Sequence, residues 1–393
     1  MNRVKTVDNN IKFVVGERAL ENIAYEISTA GCMRPMLVCD DMSNRVGLKR
    51  TLLKAFDGSD MDIAYIDQKI GDIPTTEDVE RIVRQYISTG CDCMVLLGKK
   101  AVISAGKASK ILIRDGVSLI AQYDGKNISK FPVKDFPLFV VPTYLGSAIE
   151  CSNKVRIYNP EANITYDFDS AYAQTSAVFM DARMTDTMPP KSIASFGMFA
   201  LALAVEGYTK SQDKVFAKPY SMTALKILKD SLMPCIFHNA ESRYRKEIMS
   251  AVVIAGCGYY LLDKGLLSVL TDVISDRYKA NYANIFALLF REYIKQSNTY
   301  DEKLLGELAP CFYTIDQYCS ELCDDLPKAV RRAIEGYYSR IEEYVEVTGK
   351  LRDFGVLKED FPQIAEQAIQ EADVTVDEEF SYAFIMSLLE SVY

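Results

Sequence analysis

The stretch Pro189–Tyr208, PPKSIASFGMFALALAVEGY, constrains this chain more than any other. Two prolines followed by Lys191 and Ser192 read as a helix start, since proline suits the first helical turn, where its missing N–H would be unpaired anyway. Phe196, Met198, Phe199, Leu201, Leu203 and Val205 follow, with almost nothing polar before Glu206. A helix apolar on every face belongs inside a protein. It reads as too short to cross a bilayer, which takes roughly 20 apolar residues. The stretch therefore predicts the central helix of a large helical domain. It also divides the chain, because strand patterns stop before it and helical patterns dominate after it.

The first half alternates strands and helices. Strand-like segments are Ile11–Val15, Pro35–Cys39, Asp62–Ile66, Cys93–Leu97 and Phe136–Val141. Between them, helical patterns cover Ala19–Ala30, Leu48–Phe56, a segment opened by Pro74-Thr75-Thr76-Glu77 and running to Thr89, and one beginning at Ala101. In the Thr89-ended helix Ile82, Val83, Tyr86 and Ile87 mark the buried side. Continuous apolar strands alternating with helices mean a parallel sheet covered on both faces. Ligands of such sheets bind beyond the carboxyl ends of the strands. Asp40, Gly98, Lys99, Lys100 and the Thr143–Ser147 segment are predicted to fall there. After Pro189 the helical candidates are Ser221–Cys235, Ser242–Leu262, Tyr282–Gln296, Lys328–Val347 and Phe380–Val392. The acidic piece Glu371–Glu379 reads as a solvated turn.

A length of 393 residues is too much for one ordinary core, so two domains are expected, 1–186 and 187–393. The net charge of -9 argues against a nucleic-acid partner, which wants a basic face. Met1–Lys5 has no apolar core behind it and does not read as a signal peptide. The greasy run Ser250–Leu262 is too short to span a membrane, and no membrane partner is expected. Ten cysteines without paired small-domain spacing fit a reducing cytosol, hence a cytoplasmic location. A single histidine, His238, cannot build a multi-histidine site or a Ser/His/Asp arrangement. It reads as a surface residue between two helices. Cys319 with Cys323, and Cys91-Asp92-Cys93, read as buried or free thiols, having no matching second pair.

Several of these segments are familiar in order and spacing. A strand ends in Asp40, and Ile73-Pro74-Thr75-Thr76 follows. Val141-Pro142-Thr143 comes with Gly146 and Glu150, and Asp181 with Pro189-Pro190. Gly197-Met198, Ala200-Leu201 and Ala204-Val205-Glu206 come next, then Gly265-Leu266 and Ala283-Asn284. The whole chain resembles the iron-containing (metal-dependent, group III) alcohol dehydrogenase family. The resemblance implies an α/β plus all-α fold of the dehydroquinate synthase-like architecture. A Rossmann-like parallel-sheet domain would hold NAD(P), and a helical domain would hold a divalent iron or zinc through one Asp and three His. It also implies an oxidoreductase of alcohols and aldehydes, in which the metal polarises the reacting oxygen while hydride moves to or from nicotinamide.

This chain departs from that pattern where the metal should sit. The family's ligand Asp falls on Phe199, and its ligand histidines on Leu203, on Leu270 and near Ala280. A further family histidine falls on Ile274. None of these side chains can donate to a cation, so no iron or zinc is expected. Asp272 with Asp276 could form a relocated carboxylate pair. Arg277, Tyr278 or Lys279 could supply a charge or a donor in the metal's place. The cofactor loops differ too. The family's GGGS is Gly98-Lys99-Lys100-Ala101, its following Asp is Ser104, and its Lys is retained as Lys107. In the second loop Tyr144, Leu145, Ala148 and Ile149 replace Thr, Ala, Gly and Ser. The residues expected to touch NAD are Asp40, Gly98, Lys99, Lys100, Thr143, Tyr144 and Ser147.

By resemblance, then, the sequence is that of an NAD(P)-linked alcohol and aldehyde oxidoreductase that has lost its metal site and the activity that depends on it. Two alternatives stay open. One is a metal-independent NAD(P)H reductase of a small carbonyl compound, and the other a non-catalytic binding or scaffold protein paired with an active relative. A small-molecule ligand between the domains and a homodimer are further expectations.

Overall fold

The computed structural model describes residues 11–116, 135–210, 215–238, 241–262, 265–297, 300–321, 325–345, 349–372 and 381–393. They divide into two compact units, Met1–Thr187 and Met188–Tyr393. Cys323 and most of Glu371–Glu379 lie outside the described residues.

The first unit is built on a six-stranded sheet. Its strands are β1 (Lys12–Gly16), β2 (Pro35–Asp40), β3 (Tyr65–Ile70), β4 (Cys93–Gly98), β5 (Leu138–Pro142) and β8 (Ala177–Asp181). The order is β1-β8-β5-β4-β2-β3, and every pair is parallel. β6 (Lys154–Asn159) and β7 (Ile164–Asp169) form a separate antiparallel hairpin. From β2 the chain moves outward to β3 and then returns to pair β4 on β2's other side. The β2/β4 junction is therefore the switch point where an open α/β sheet leaves a crevice for a ligand.

Side chains alternate across the sheet with period two. Leu37, Cys39, Cys93, Val95, Leu97, Phe139 and Phe179 share one core with Ile23 and Ile27 of α1 (Ile23–Thr29) and with Leu48 and Leu52 beyond it. Two short helices, α2 (Asp41–Arg45) and α3 (Leu48–Lys54), follow β2. α4 (Thr76–Thr89) opens at the Pro74-Thr75-Thr76-Glu77 signal, and a capping box between Thr75 and Asp78 starts it. Its buried side carries Ile82, Val83 and Tyr86, whereas Ile87 is 65% exposed, contrary to expectation. Ile87 lies one helical step past the stripe that the other three define. α5 (Lys100–Asp115) is buried along nearly its whole length.

In the second unit α6 (Pro190–Thr209) is the central helix, packed against α7 (Ala217–Phe237), α8 (Ser242–Tyr259) and α10 (Tyr282–Gln296). It is long and apolar enough to cross a membrane by length and composition, so the length argument in the sequence reading does not hold. Burial decides instead: 94% of its apolar window is buried, as befits a core helix. α9 (Leu266–Tyr278) lies between α8 and α10 in sequence. The unit is completed by α11 (Glu302–Gly306), α12 (Ala309–Phe312), α13 (Ile315–Glu321), α14 (Leu326–Glu342), α15 (Phe361–Glu371) and α16 (Tyr382–Ser391).

Candidate functional site

In the first unit the ends of β2, β4 and β5 converge. Asp40, the last residue of β2, caps α2, its Oδ1 accepting the Ser43 N–H at 2.6 Å. Its Oδ2 lies against Gly98, 3.2 Å from where a Cβ there would stand. That Cβ would also sit 2.5 Å from Val102 Cγ2 and 2.8 Å from Val102 Cβ, so the turn from β4 into α5 admits only glycine. The Thr143 N–H donates to the Gly98 carbonyl at 3.3 Å, which ties the end of β5 to the end of β4. Thr143 is itself buried.

Lys99 is the N-cap of α5 and Lys100 its first residue; both are half-buried. The Lys99 ammonium stands 4.6 Å from the centroid of the Tyr144 ring and donates to the Tyr144 hydroxyl. Burial opposes its charge. The Tyr144 hydrogen bond and the carboxylates of Asp72 and Asp40 outweigh burial and move the Lys99 pKa up. Lys99 is therefore a firmly charged cation at the start of a 16-residue helix, whose N-terminal dipole also favours anions.

The segment after β5 is unusual. Gly146 has φ +110 and Ala148 φ 63, so two residues close together are left-handed, and the second carries a side chain. The Ser147 N–H and hydroxyl both donate to Glu150 Oε1 at 2.9 Å. Ser147 thus has acceptor capacity left, but no donor for a phosphate. Lys107 of α5, fully buried, donates from Nζ to the Ile149 carbonyl at 2.6 Å and the Ser152 carbonyl at 2.5 Å. The structure brings together Asp40, Gly98, Lys99, Thr143 and Tyr144, and places Lys100 next to Lys99. It gives Ser147 a bracing role. What Lys107 holds is invisible in the sequence, where it stands only as a residue the resemblance retains, because its partners lie 42 and 45 positions away.

In the second unit Phe199 and Leu203 of α6 and Leu270 and Ile274 of α9 are all buried. Phe199 meets two aromatic rings of α10 edge-on, Phe286 at 5.3 Å and Tyr282 at 5.8 Å between centroids. Glu206 and Lys210 continue the Phe199–Leu203 stripe of α6, about 10 Å further along the axis from Phe199 to Glu206. They pair with each other at 3.2 Å. Glu206 also accepts the Tyr300 hydroxyl, and Lys210 donates to the Tyr293 hydroxyl at 2.9 Å. These groups are hydrogen-bonded to one another.

Two of the substitutes considered for the metal are engaged with α15. Arg277 holds Asp360 at 2.7 Å and Gln363 at 2.8 Å, and the Tyr278 hydroxyl also donates to Asp360. These bonds tie the end of α9 to the start of α15. Lys279 is the left-handed C-cap of α9, with φ 52. Asp272 is buried and Asp276 half-buried.

Among the described residues, Cys32, Asp92 and Cys93 are the one group of three close metal-ligating side chains, and they belong to the first unit. Asp92 accepts the N–H groups of Met33 at 2.7 Å and Arg34 at 2.9 Å, and burial pushes the Cys93 thiol far up. His238 is the exposed C-cap of α7.

Residues 10–182 match the family described as iron-containing alcohol dehydrogenase, and 193–393 match the C-terminal domain of the Fe-containing alcohol dehydrogenase family. The chain belongs to the iron-containing alcohol dehydrogenase family. It is 22% identical over 382 residues to alcohol dehydrogenase 4 of Saccharomyces cerevisiae, covering 96% of both chains. It is 21% identical over 357 residues to lactaldehyde reductase of Escherichia coli, covering 91% of both. Among solved structures, an alcohol dehydrogenase from Oenococcus oeni superposes with a TM-score of 0.83 at 20% identity, covering 97% of this chain and 98% of that one. The sulfoacetaldehyde reductase of Bifidobacterium kashiwanohense, solved in complex with NAD+, gives 0.80 at 16% identity, covering 100% and 99%. At such identities the structural likeness speaks for the fold.

The resemblance places the family's metal ligands at Phe199, Leu203 and Leu270, and all three side chains are buried here. The side chains at the expected ligand positions in α6 and α9 are hydrocarbon, and a divalent ion among them would be neither coordinated nor hydrated.

Proposed function

We propose that this chain binds a nicotinamide dinucleotide at the ends of β2, β4 and β5 and lacks its family's metal-dependent alcohol and aldehyde chemistry. The observation that carries the second half is the burial of Phe199 against the rings of Phe286 and Tyr282, with Leu203, Leu270 and Ile274 buried as well. Without an ion, a developing alkoxide needs another fixed positive group. Arg277 and Tyr278 are held by Asp360, which removes the support for a metal-free reductase built on them.

Support for the first half comes from Asp40, Gly98, Lys99, Thr143 and Tyr144 meeting at the switch point. In this reading Lys99 and Lys100 attract the pyrophosphate by charge, where a glycine-rich loop would use backbone N–H groups. A relative of the same fold is solved with NAD+. The protein then acts as a nucleotide-binding partner or scaffold rather than a dehydrogenase.

Elemental analysis of protein from iron- and zinc-supplemented cells, with NADH fluorescence titration, tests both halves. Substoichiometric metal and saturable NADH binding without aldehyde-dependent oxidation are expected. Stoichiometric iron or zinc would overturn the metal half. Absent NADH binding would overturn the nucleotide half.

A further inference from the structure

The segment Tyr144–Ser152 is held at three places, all by side chains of the first unit. At its start the Tyr144 ring and hydroxyl lie against the Lys99 ammonium. In its middle the Glu150 carboxylate takes both donors of Ser147. At its end Lys107 grips the carbonyls of Ile149 and Ser152. Lys99 and Lys107 both belong to the α5 region, about two helical turns apart. One helix therefore fixes both ends of the segment.

Such bracing has a cost. Lys107 and Glu150 are 0% and 1% exposed, and two ionisable groups are rarely buried without strong reason. The backbone between them is left-handed at Gly146 and at Ala148, a shape that an alanine adopts only when its surroundings impose it. Buried ionic groups and imposed backbone strain in one short segment are spent on its shape. That segment follows β5, at the sheet end where ligands bind.

We infer that Lys107 and Glu150 are positioning residues that hold Tyr144–Ser152 in its nucleotide-binding shape before the ligand arrives. This rests on the nucleotide site proposed above. A braced segment loses little conformational freedom on binding, so the nucleotide's contacts are not offset by ordering the loop. Tyr144 presents its ring and hydroxyl beside Lys99 only while the far end of the segment is held. Deprived of Lys107, the Ser152 carbonyl would lose its side-chain donor and the Ile149 carbonyl would keep only the Ser152 N–H at 3.1 Å and hydroxyl at 3.3 Å, so the segment would have to open to give the freed acceptor water.

The test compares wild type with Lys107→Met, which matches the stem length but cannot donate, and with Glu150→Gln. Hydrogen exchange is followed in the ligand-free protein, and NADH affinity by fluorescence. In both variants the amides of 143–152 are expected to exchange at least tenfold faster while those of β4 keep their protection. The NADH dissociation constant is expected to rise at least fivefold for Lys107→Met. A purely structural role would instead raise exchange throughout the unit. Unchanged exchange in 143–152, or faster exchange there with unaltered NADH affinity, would overturn the inference. Should Lys107→Met fail to fold, Glu150→Gln gives the same two readouts. Wild-type protein that does not bind NADH overturns the nucleotide reading and the purpose assigned to the brace, and the exchange data still report separately whether the brace exists.

Discussion

The ring of Phe199 meets the ring of Phe286 edge-on, with centroids 5.3 Å apart, at the position where the resemblance places the family's aspartate ligand. The same ring meets Tyr282 at 5.8 Å. Edge-to-face pairs at these distances are favourable beyond their buried area. Phe199→Ala should therefore cost about 3–5 kcal/mol of stability, the range for removing a buried aromatic ring. Urea unfolding reads this as a lower midpoint with an unchanged slope. A cost below about 1 kcal/mol would mean that the ring is not packed as described.

Metal removal follows from the same packing. A protein whose stability drew on a bound ion would melt earlier once the ion was withdrawn. With hydrocarbon at Phe199, Leu203, Leu270 and Ile274, EDTA or dipyridyl is expected to leave the melting temperature within about 1 °C of the untreated value, since a lost ligand contribution of even 1 kcal/mol shifts it by more than that. Differential scanning calorimetry with and without chelator checks this, and a drop of several degrees would contradict it.

Much of the first unit is legible in the sequence because its inner strands are continuous apolar runs. PMLVC and CMVLL end in Asp40 and Gly98, and the structure puts both at the switch point. β3 is harder to read. It was placed at Asp62–Ile66 and lies at Tyr65–Ile70, because an edge strand carrying Asp67, Gln68 and Lys69 lacks the apolar run. β8 is fully buried between β1 and β5, but five residues beside a turn gave too short a signal. The β6–β7 hairpin and α15 were also missed. Tyr282–Gln296 was read to the residue, since Asn281 caps it and Phe286, Leu289, Phe290 and Tyr293 repeat at helical spacing. The brace on Tyr144–Ser152 was not legible at all, because Lys107 acts on backbone carbonyls, which leave no mark in a sequence.

Ala148 stands where the resemblance places a glycine, and it has a left-handed backbone, with φ 63. The left-handed conformation costs a residue with a Cβ about 1–2 kcal/mol, while glycine loses more entropy on folding by roughly half that. Ala148→Gly should thus stabilise the protein by about 0.5–1 kcal/mol. Chemical denaturation measures it. Destabilisation would mean that the Cβ makes a contact worth more than the strain.

Lys99 is the cation nearest the Gly98 turn, and the proposed pyrophosphate contact depends on its charge. Lys99→Met should weaken NADH binding about tenfold, the loss of one charge-assisted hydrogen bond. Affinity should also fall less steeply with added salt than in wild type, since one fewer charge takes part. Titrations at low and moderate ionic strength separate the two effects. Equal salt slopes in wild type and variant would remove Lys99 from the site.

Burial moves the Lys107 pKa down from 10.5 to about 8, and the nearby Cys151, Glu150 and Asp169 only partly oppose it, while Lys110 adds to it. Between those two values the unfolded chain still holds a proton that the folded protein has released. The unfolded state then binds more protons, so stability rises with pH from about 8 towards 10.5 through this group. A neutral amine keeps two N–H donors, enough for the carbonyls of Ile149 and Ser152, so the grip survives deprotonation. Lys107→Met removes this component. Urea unfolding across that window should give a more positive slope of stability against pH in wild type than in the variant. Parallel slopes would mean that the Lys107 ammonium is no less stable in the folded protein than in water.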